Sequence, residues 1–117
     1  TLGDALNRYQ PGDTIVIAEQ RITEPLLRLD RHRHKDVTIE SATPDGRPAV
    51  IEFGATTVKG AVMLDASNVE GVHLRNVEFD GKGAAEVGVQ VSGYAAGTSL
   101  EGVTVRNVLK RGVALWN

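Results

Sequence analysis

The sequence predicts an all-β fold: a parallel β-helix of about three coils behind a short N-terminal capping helix, built as one module over residues 1–117. Three observations carry that prediction. A nonapeptide recurs with a single change of character, Val69–Val77 reading VEGVHLRNV and Leu100–Val108 reading LEGVTVRNV. Short β-branched runs separated by turn residues fill the chain beyond residue 13. One shift of 35 residues then superposes three of those runs at once: Thr14–Ile17 on Ala49–Glu52, Leu27–Asp30 on Val62–Asp65, and Val37–Glu40 on Val72–Arg75. The next matches, Val62 to Val89, Val72 to Val103 and Val89 to Val113, fall at 27, 31 and 24 residues. A variable period with recurring strands indicates a solenoid whose loops absorb differences in length.

Residues 1–10 predict the capping helix. Thr1 can cap it, Asp4 sits in its first turn, and Leu2, Ala5, Leu6 and Tyr9 share one face, while Pro11 and Gly12 end it. The coils occupy residues 13–117, with strands predicted over 14–17, 26–29, 37–39, 49–53, 61–64, 72–74, 77–79, 87–91, 103–105 and 113–115. Strands this short, with no helices between them, fit a parallel β-helix better than a leucine-rich or α-helical array. Side chains alternate, so Val72, Leu74, Val103 and Val105 are expected to fill the bore while His73, Arg75, Thr104 and Arg106 face outward. Asn tolerates the left-handed backbone that a sharp corner requires, and the repeat predicts that Ser41, Asn76 and Asn107 occupy one corner in three successive coils.

Composition agrees with one aliphatic core. Hydrophobic residues make up 41% of the chain but aromatics only 4%, so Val, Ile, Leu and Ala must fill the interior. A net charge of −2 argues against nucleic acid, because no excess of cations is available to displace counterions from a phosphate backbone. Cysteine is absent, which excludes disulfides and thiolate metal sites. No apolar run approaches the roughly 18 residues of a membrane span, and no signal-peptide pattern opens the chain, so no membrane segment is expected.

The stretch TLGDALNRYQPGDTIVIAEQRI, Thr1–Ile22, resembles the entrance of right-handed parallel β-helix proteins of the pectate lyase-like superfamily. It is most similar to the alginate lyase and chondroitinase B branch, in which a short capping helix runs into Pro-Gly-Asp-Thr-Ile and a first strand. The resemblance implies a right-handed coil, an extracytoplasmic location and a polysaccharide as partner or substrate. After the first strand, Glu19-Gln20-Arg21-Ile22 stands where those enzymes usually carry a Gly and an aromatic. Their catalytic Lys and Arg and their calcium ligands match no position here.

Four groups of residues are candidates for chemistry. Glu40, Arg75 and Arg106 are expected to stack about 4.8 Å apart in one outward column, where two guanidiniums can grip a uronate or sulfate; as a plain solvated face, Glu40 pairs with Arg75 and Arg106 reaches Glu78 or Glu101. Asp30 and Asp65 align one above the other and can begin a calcium site, with Ser92 and Trp116 continuing the column; the simpler role is that of turn carboxylates. His73, Arg75, Asp80 and Lys82 combine the base and the cation that a lyase requires. In RHRHK, Arg31–Lys35, His32 and His34 can begin a metal site, although a solvated connection between strands is the expected role. The glycines at 60, 71, 88, 102 and 112 mark coil turns and compose no phosphate loop.

The final strand lacks a polar cap, so Val103, Val105, Val108, Val113 and Leu115 are expected to present an open apolar edge. Further coils or a second copy, docked through the C-terminal coil, would cover it. The leading expectation is therefore a non-catalytic module, structural or carbohydrate-binding, from a larger bacterial protein of which this is a fragment. One alternative is the start of a polysaccharide lyase or glycoside hydrolase acting on uronate-containing polysaccharide, with calcium as its only candidate cofactor. Another is a sensor or accessory domain of a multidomain Ser/Thr kinase.

Overall fold

The computed structural model describes residues 1–54 and 59–116, the last of these by its backbone alone. A helix, α1 (Leu2–Asn7), precedes twelve strands. They are β1 (Thr14–Ile17), β2 (Arg21–Glu24), β3 (Leu27–Arg28), β4 (Thr38–Ser41), β5 (Ala49–Phe53), β6 (Val62–Asp65), β7 (His73–Arg75), β8 (Val77–Asp80), β9 (Val87–Ser92), β10 (Ser99–Glu101), β11 (Thr104–Arg106) and β12 (Arg111–Trp116). Every third strand joins the same sheet. Sheet 1 runs β1-β4-β7-β10, sheet 2 runs β2-β5-β8-β11 and sheet 3 runs β3-β6-β9-β12, with all pairings parallel. This is a right-handed parallel β-helix of four turns.

The sequence reading of about three coils missed β2 and β10, and the reason lies in their composition. Arg21-Ile22-Thr23-Glu24 has charge at both ends, and Ser99-Leu100-Glu101 carries one aliphatic between polar neighbours. Both become strands because the ladder beside them supplies the hydrogen bonds, and context overrides weak local preference.

Inward positions stack rung on rung. Ile15, Ile39, Leu74 and Leu100 form one inner column, and Ile22, Ile51, Phe79 and Val105 form another. Leu74, Phe79, Ile39 and Ile51 are essentially inaccessible, as are Val37, Val72, Val77 and Val89. Burying a side chain of this size stabilises the fold by about 1.5–3 kcal/mol. His73 is half-buried and Arg75, Thr104 and Arg106 are exposed, the alternation expected from the sequence.

Register corrects the alignment in several places. The 35-residue shift holds for Thr38 on His73, but β1 pairs with β4, not with β5. Leu27 lies on Leu64, two residues away from the predicted Val62. The two copies of the nonapeptide lie in different sheets: His73–Arg75 is in sheet 1, whereas Thr104–Arg106 is in sheet 2 and rests on Glu78–Asp80. Asn76 and Asn107 both take positive φ, 53° and 56°, so each turns a corner as expected. The corner is not shared. Gly102 stacks on Asn76, and Ser41 donates its hydroxyl to the Asn76 carbonyl from the rung before.

The helix closes one end of the bore. Leu2, Leu6 and Tyr9 are buried with Ile17, Leu27 and Leu29. The amide of Asp4 donates to Thr1 Oγ1 at 3.0 Å, forming the predicted cap. A second clamp comes from β2, where buried Glu24 accepts the amides of Leu2 and Gly3 at 3.0 and 3.2 Å. At the helix C-terminus the RHRHK run takes over. The amide of Asp30 donates to His34 Nδ1 at 2.7 Å, which leaves Nε2 to donate to the Leu6 carbonyl at 2.8 Å. Arg33 Nη2 donates to the Asn7 carbonyl at 2.7 Å, and the Tyr9 hydroxyl donates to the Lys35 carbonyl at 2.7 Å. The run is therefore a latch on the cap, and His34, 4% exposed, is no solvated linker.

Glu24→Ala removes the acceptor of two helix amides, so it should destabilise the protein by about 1–3 kcal/mol, read as a lower urea midpoint. Glu24→Gln keeps one acceptor oxygen and should cost less.

Candidate functional site

Outward columns decide which candidates meet. On sheet 1, Arg75 stands between Glu40 below and Glu101 above, pairing with the latter at 3.9 Å. Arg106 belongs to sheet 2, where it rests on Asp80 and sends Nε and Nη2 to Glu78 Oε2 at 2.9 and 2.8 Å. Glu40 is thus placed beneath Arg75 as expected, but the two guanidiniums are not neighbours. The predicted stack mistook a corner shared by two sheets for a corner shared by two coils.

The acidic pair also separates. Arg28, not Asp30, lies on Asp65 and approaches it at 3.7 Å, and the column continues through Gln90 to Ala114. Ser92 and Trp116 pair two positions further along. Asp30 stays exposed and folds back on its own loop, its Oδ1 accepting the amides of His32 and Arg33 at 2.9 and 2.8 Å. Those amides hold its carboxyl below the ordinary carboxylate range. Among the described residues, no three His, Cys, Asp or Glu side chains gather as a metal site.

The set of His73, Arg75, Asp80 and Lys82 divides between sheets 1 and 2. His73 Nδ1 bonds Ser99 Oγ at 2.5 Å, while Lys82 Nζ reaches Glu52 at 3.2 Å. Asp80, 8% exposed, accepts the Lys82 amide and the Asn107 amide group through Oδ1, both at 2.9 Å. Burial works to raise its pKa. The Asn107 and Lys82 hydrogen bonds and the Lys82 and Arg106 charges outweigh it, and the carboxyl titrates below its ordinary value. Arg31 of the basic run lies over the exposed Tyr94 ring, 5.7 Å from its centroid.

A hollow on sheet 2 was not anticipated from the sequence. Arg21, Val50 and Glu78 form one outward column, and the segment between β4 and β5, residues 42–48, overhangs it. Arg21, Asp45, Arg47, Glu78 and Arg106 surround about 300 Å³ above Pro48 and Val50. Val50 faces away from the bore, yet it is only 7% exposed. Missing β2 hid this site, because Arg21 faces the groove only as a strand residue. The available signal was length: ATPDGRP inserts seven residues where the corner between β7 and β8 uses Asn76 alone.

A larger hollow of about 440 Å³ lies between Lys82, Gly83 and Asn107–Leu109 beside the last rung. Its one charged group, Lys82, is already turned to Glu52.

The lowered pKa of Asp80 sets a sign for acid sensitivity. Its stabilising contribution is complete above the unfolded value of about 3.9 and is lost as pH falls through the lower folded value. Urea midpoints at pH 7, 5 and 3 should show wild type losing stability relative to Asp80→Asn only in the most acidic step.

Comparison of the chain with protein-family models, with curated proteins and with solved structures returns no match.

Proposed function

We propose that the chain is a non-catalytic β-helix module with a structural role, a rigid capped stack whose last rung receives further β-structure. The observation that carries this reading is the difference between the two ends. At one end α1 seals the bore. At the other, Leu109, Val113 and Leu115 are exposed at 56%, 38% and 66%, and Leu100, Val103 and Val105 are only partly covered. There, among the described residues, β10, β11 and β12 are the outermost strands of the three parallel sheets. An apolar rung ringed by strand edges is a template for strand addition. Covering it stabilises by about 25 cal/mol per Å² of apolar area.

A second copy docked through this rung would cover it. Head-to-tail stacking would require an open rung at both ends, and α1 covers one of them. Two open rungs meeting about a two-fold axis give a closed dimer. The groups weighed for catalysis support a structural role in another way, since His73, Arg75, Asp80 and Lys82 are each engaged by a neighbouring rung or by their own turn.

The entrance segment Thr1–Ile22 together with the β-helix supports placing the chain with the pectate lyase-like proteins. The resemblance keeps the lyase alternative concrete, and the two readings differ in the cuvette. The chain alone, with or without calcium, should generate no ultraviolet absorbance from uronate polymers; a rise from unsaturated product would establish the enzyme.

Sedimentation should give a mass that grows with concentration toward a dimer. Leu109→Lys with Leu115→Lys should hold the protein monomeric without altering its circular dichroism. A wild type that stays monomeric at every concentration would overturn the docking rung.

A further inference from the structure

The geometry points to a binding site for a small polyhydroxylated anion in the groove on sheet 2, beneath the loop of residues 42–48. The four corners from sheet 1 to sheet 2 span residues 18–20, 42–48, 76 alone, and 102–103. Only the second is expanded, and insertions in a solenoid map to loops on one face, often the binding face. This insertion is also fixed from within. Thr43, 8% exposed, donates its hydroxyl to the Arg47 carbonyl at 2.5 Å, and Asp45 Oδ1 accepts the Arg47 amide at 3.0 Å. Gln20 Nε2 donates to the Pro48 carbonyl at 2.8 Å from the preceding rung, and Ser41 Oγ accepts the Ala49 amide at 2.8 Å. A wall tied at both ends holds the groove open before any ligand arrives, which lowers the entropy lost on binding.

The lining then selects the ligand. Three guanidiniums and two carboxylates surround the hollow, an excess of one positive charge. They are not equally occupied. Arg106 is held tightly by Glu78, whereas Arg21 meets Glu52 at 3.7 Å and Arg47 meets Asp45 at 3.8 Å. Both of the latter are exposed side chains in loose pairs, and such pairs contribute little to stability, so their guanidiniums can turn to an incoming anion. Asp45 and Glu78 offer only acceptors, which suits hydroxyl donors on the same molecule. Pro48 and Val50 give an apolar floor for its carbon skeleton. A volume of about 300 Å³ holds one sugar-sized unit. A bare anion leaves the carboxylates without donors, and a neutral polyol leaves the guanidiniums without charge.

Calorimetric titration of the intact chain tests this with four probes: gluconate, glucose 6-sulfate, glucose and acetate. Binding of either hydroxylated anion, with glucose and acetate at least about tenfold weaker, is the expected result, the tenfold corresponding to loss of one charge-assisted bond. Gluconate alone binding would name a carboxylate ligand, and glucose 6-sulfate alone a sulfate. Arg21→Ala and Arg47→Ala should each weaken binding by a similar factor with unchanged unfolding midpoints, while Arg75→Ala, on sheet 1, should change nothing. The site is overturned if no probe binds, if glucose or acetate binds as well as the hydroxylated anions, or if the Arg21 and Arg47 variants bind as wild type does.

Discussion

Parallel stacking of like on like is the constraint on which the molecule depends. In a β-helix each inward side chain has two fixed neighbours, the residue one rung below and the residue one rung above. A column such as Leu27, Leu64, Val89 and Val113 must therefore be apolar throughout, each side chain fitted to the one below and the one above. The corners are bound by the same rule. Asp36, Gly71 and Gly97 all take positive φ, and the Gly71 amide donates to Ala96 of the next rung. Gly71 takes a φ of 71°, and a Cβ there would also press on Asp36, 3.1 Å from its Cα, so the corner favours glycine. Strand and corner together leave the chain free to vary only in what points outward and in how long each excursion is.

That freedom explains what the sequence disclosed. The alternation within runs and the cap of Thr1, Leu2, Leu6 and Tyr9 are local, and a local reading recovers them. Which strand lies on which is not local. The spacing of 31 between the two nonapeptides is one coil of 26 residues, His73 to Ser99, plus the five residues from His73 to Glu78 in the neighbouring sheet. Both copies encode a strand followed by a left-handed Asn, and that unit serves the corner from sheet 1 to sheet 2 as well as the corner from sheet 2 to sheet 3. Repeated words here specify a bend, not a column.

Surface sites were less legible because they depend on register. A slip of two residues keeps every inward residue inward, so the core tolerates the mistake, but it exchanges every outward partner. Asp30 was moved onto Asp65 in this way, where Arg28 belongs. Charge misled in the opposite direction at RHRHK. Five basic residues in a row suggest solvent, yet His34 and Arg33 are used where a helix ends and its last carbonyls need donors. A terminal cap is the one place in a solenoid where the helix has no next rung to bond, and donors concentrate there.

The same constraint fixes where new chemistry can arise. A substitution within a column must satisfy two rungs at once, whereas a lengthened corner disturbs neither. Loop closure grows only logarithmically with length, so extending a three-residue corner to seven costs roughly 0.7 kcal/mol. The internal bonds of Thr43, Asp45 and Gln20 are enough to offset it. Length alone would have produced a floppy excursion. With those bonds the excursion becomes a wall beside a flat ladder, and a ladder with one wall has a groove. On this view the outward residues beneath such a wall, Arg21, Val50 and Glu78, are released from the requirement to pair with one another. Their mixture of cation, aliphatic and acid in a single column is what relaxation of that requirement would produce.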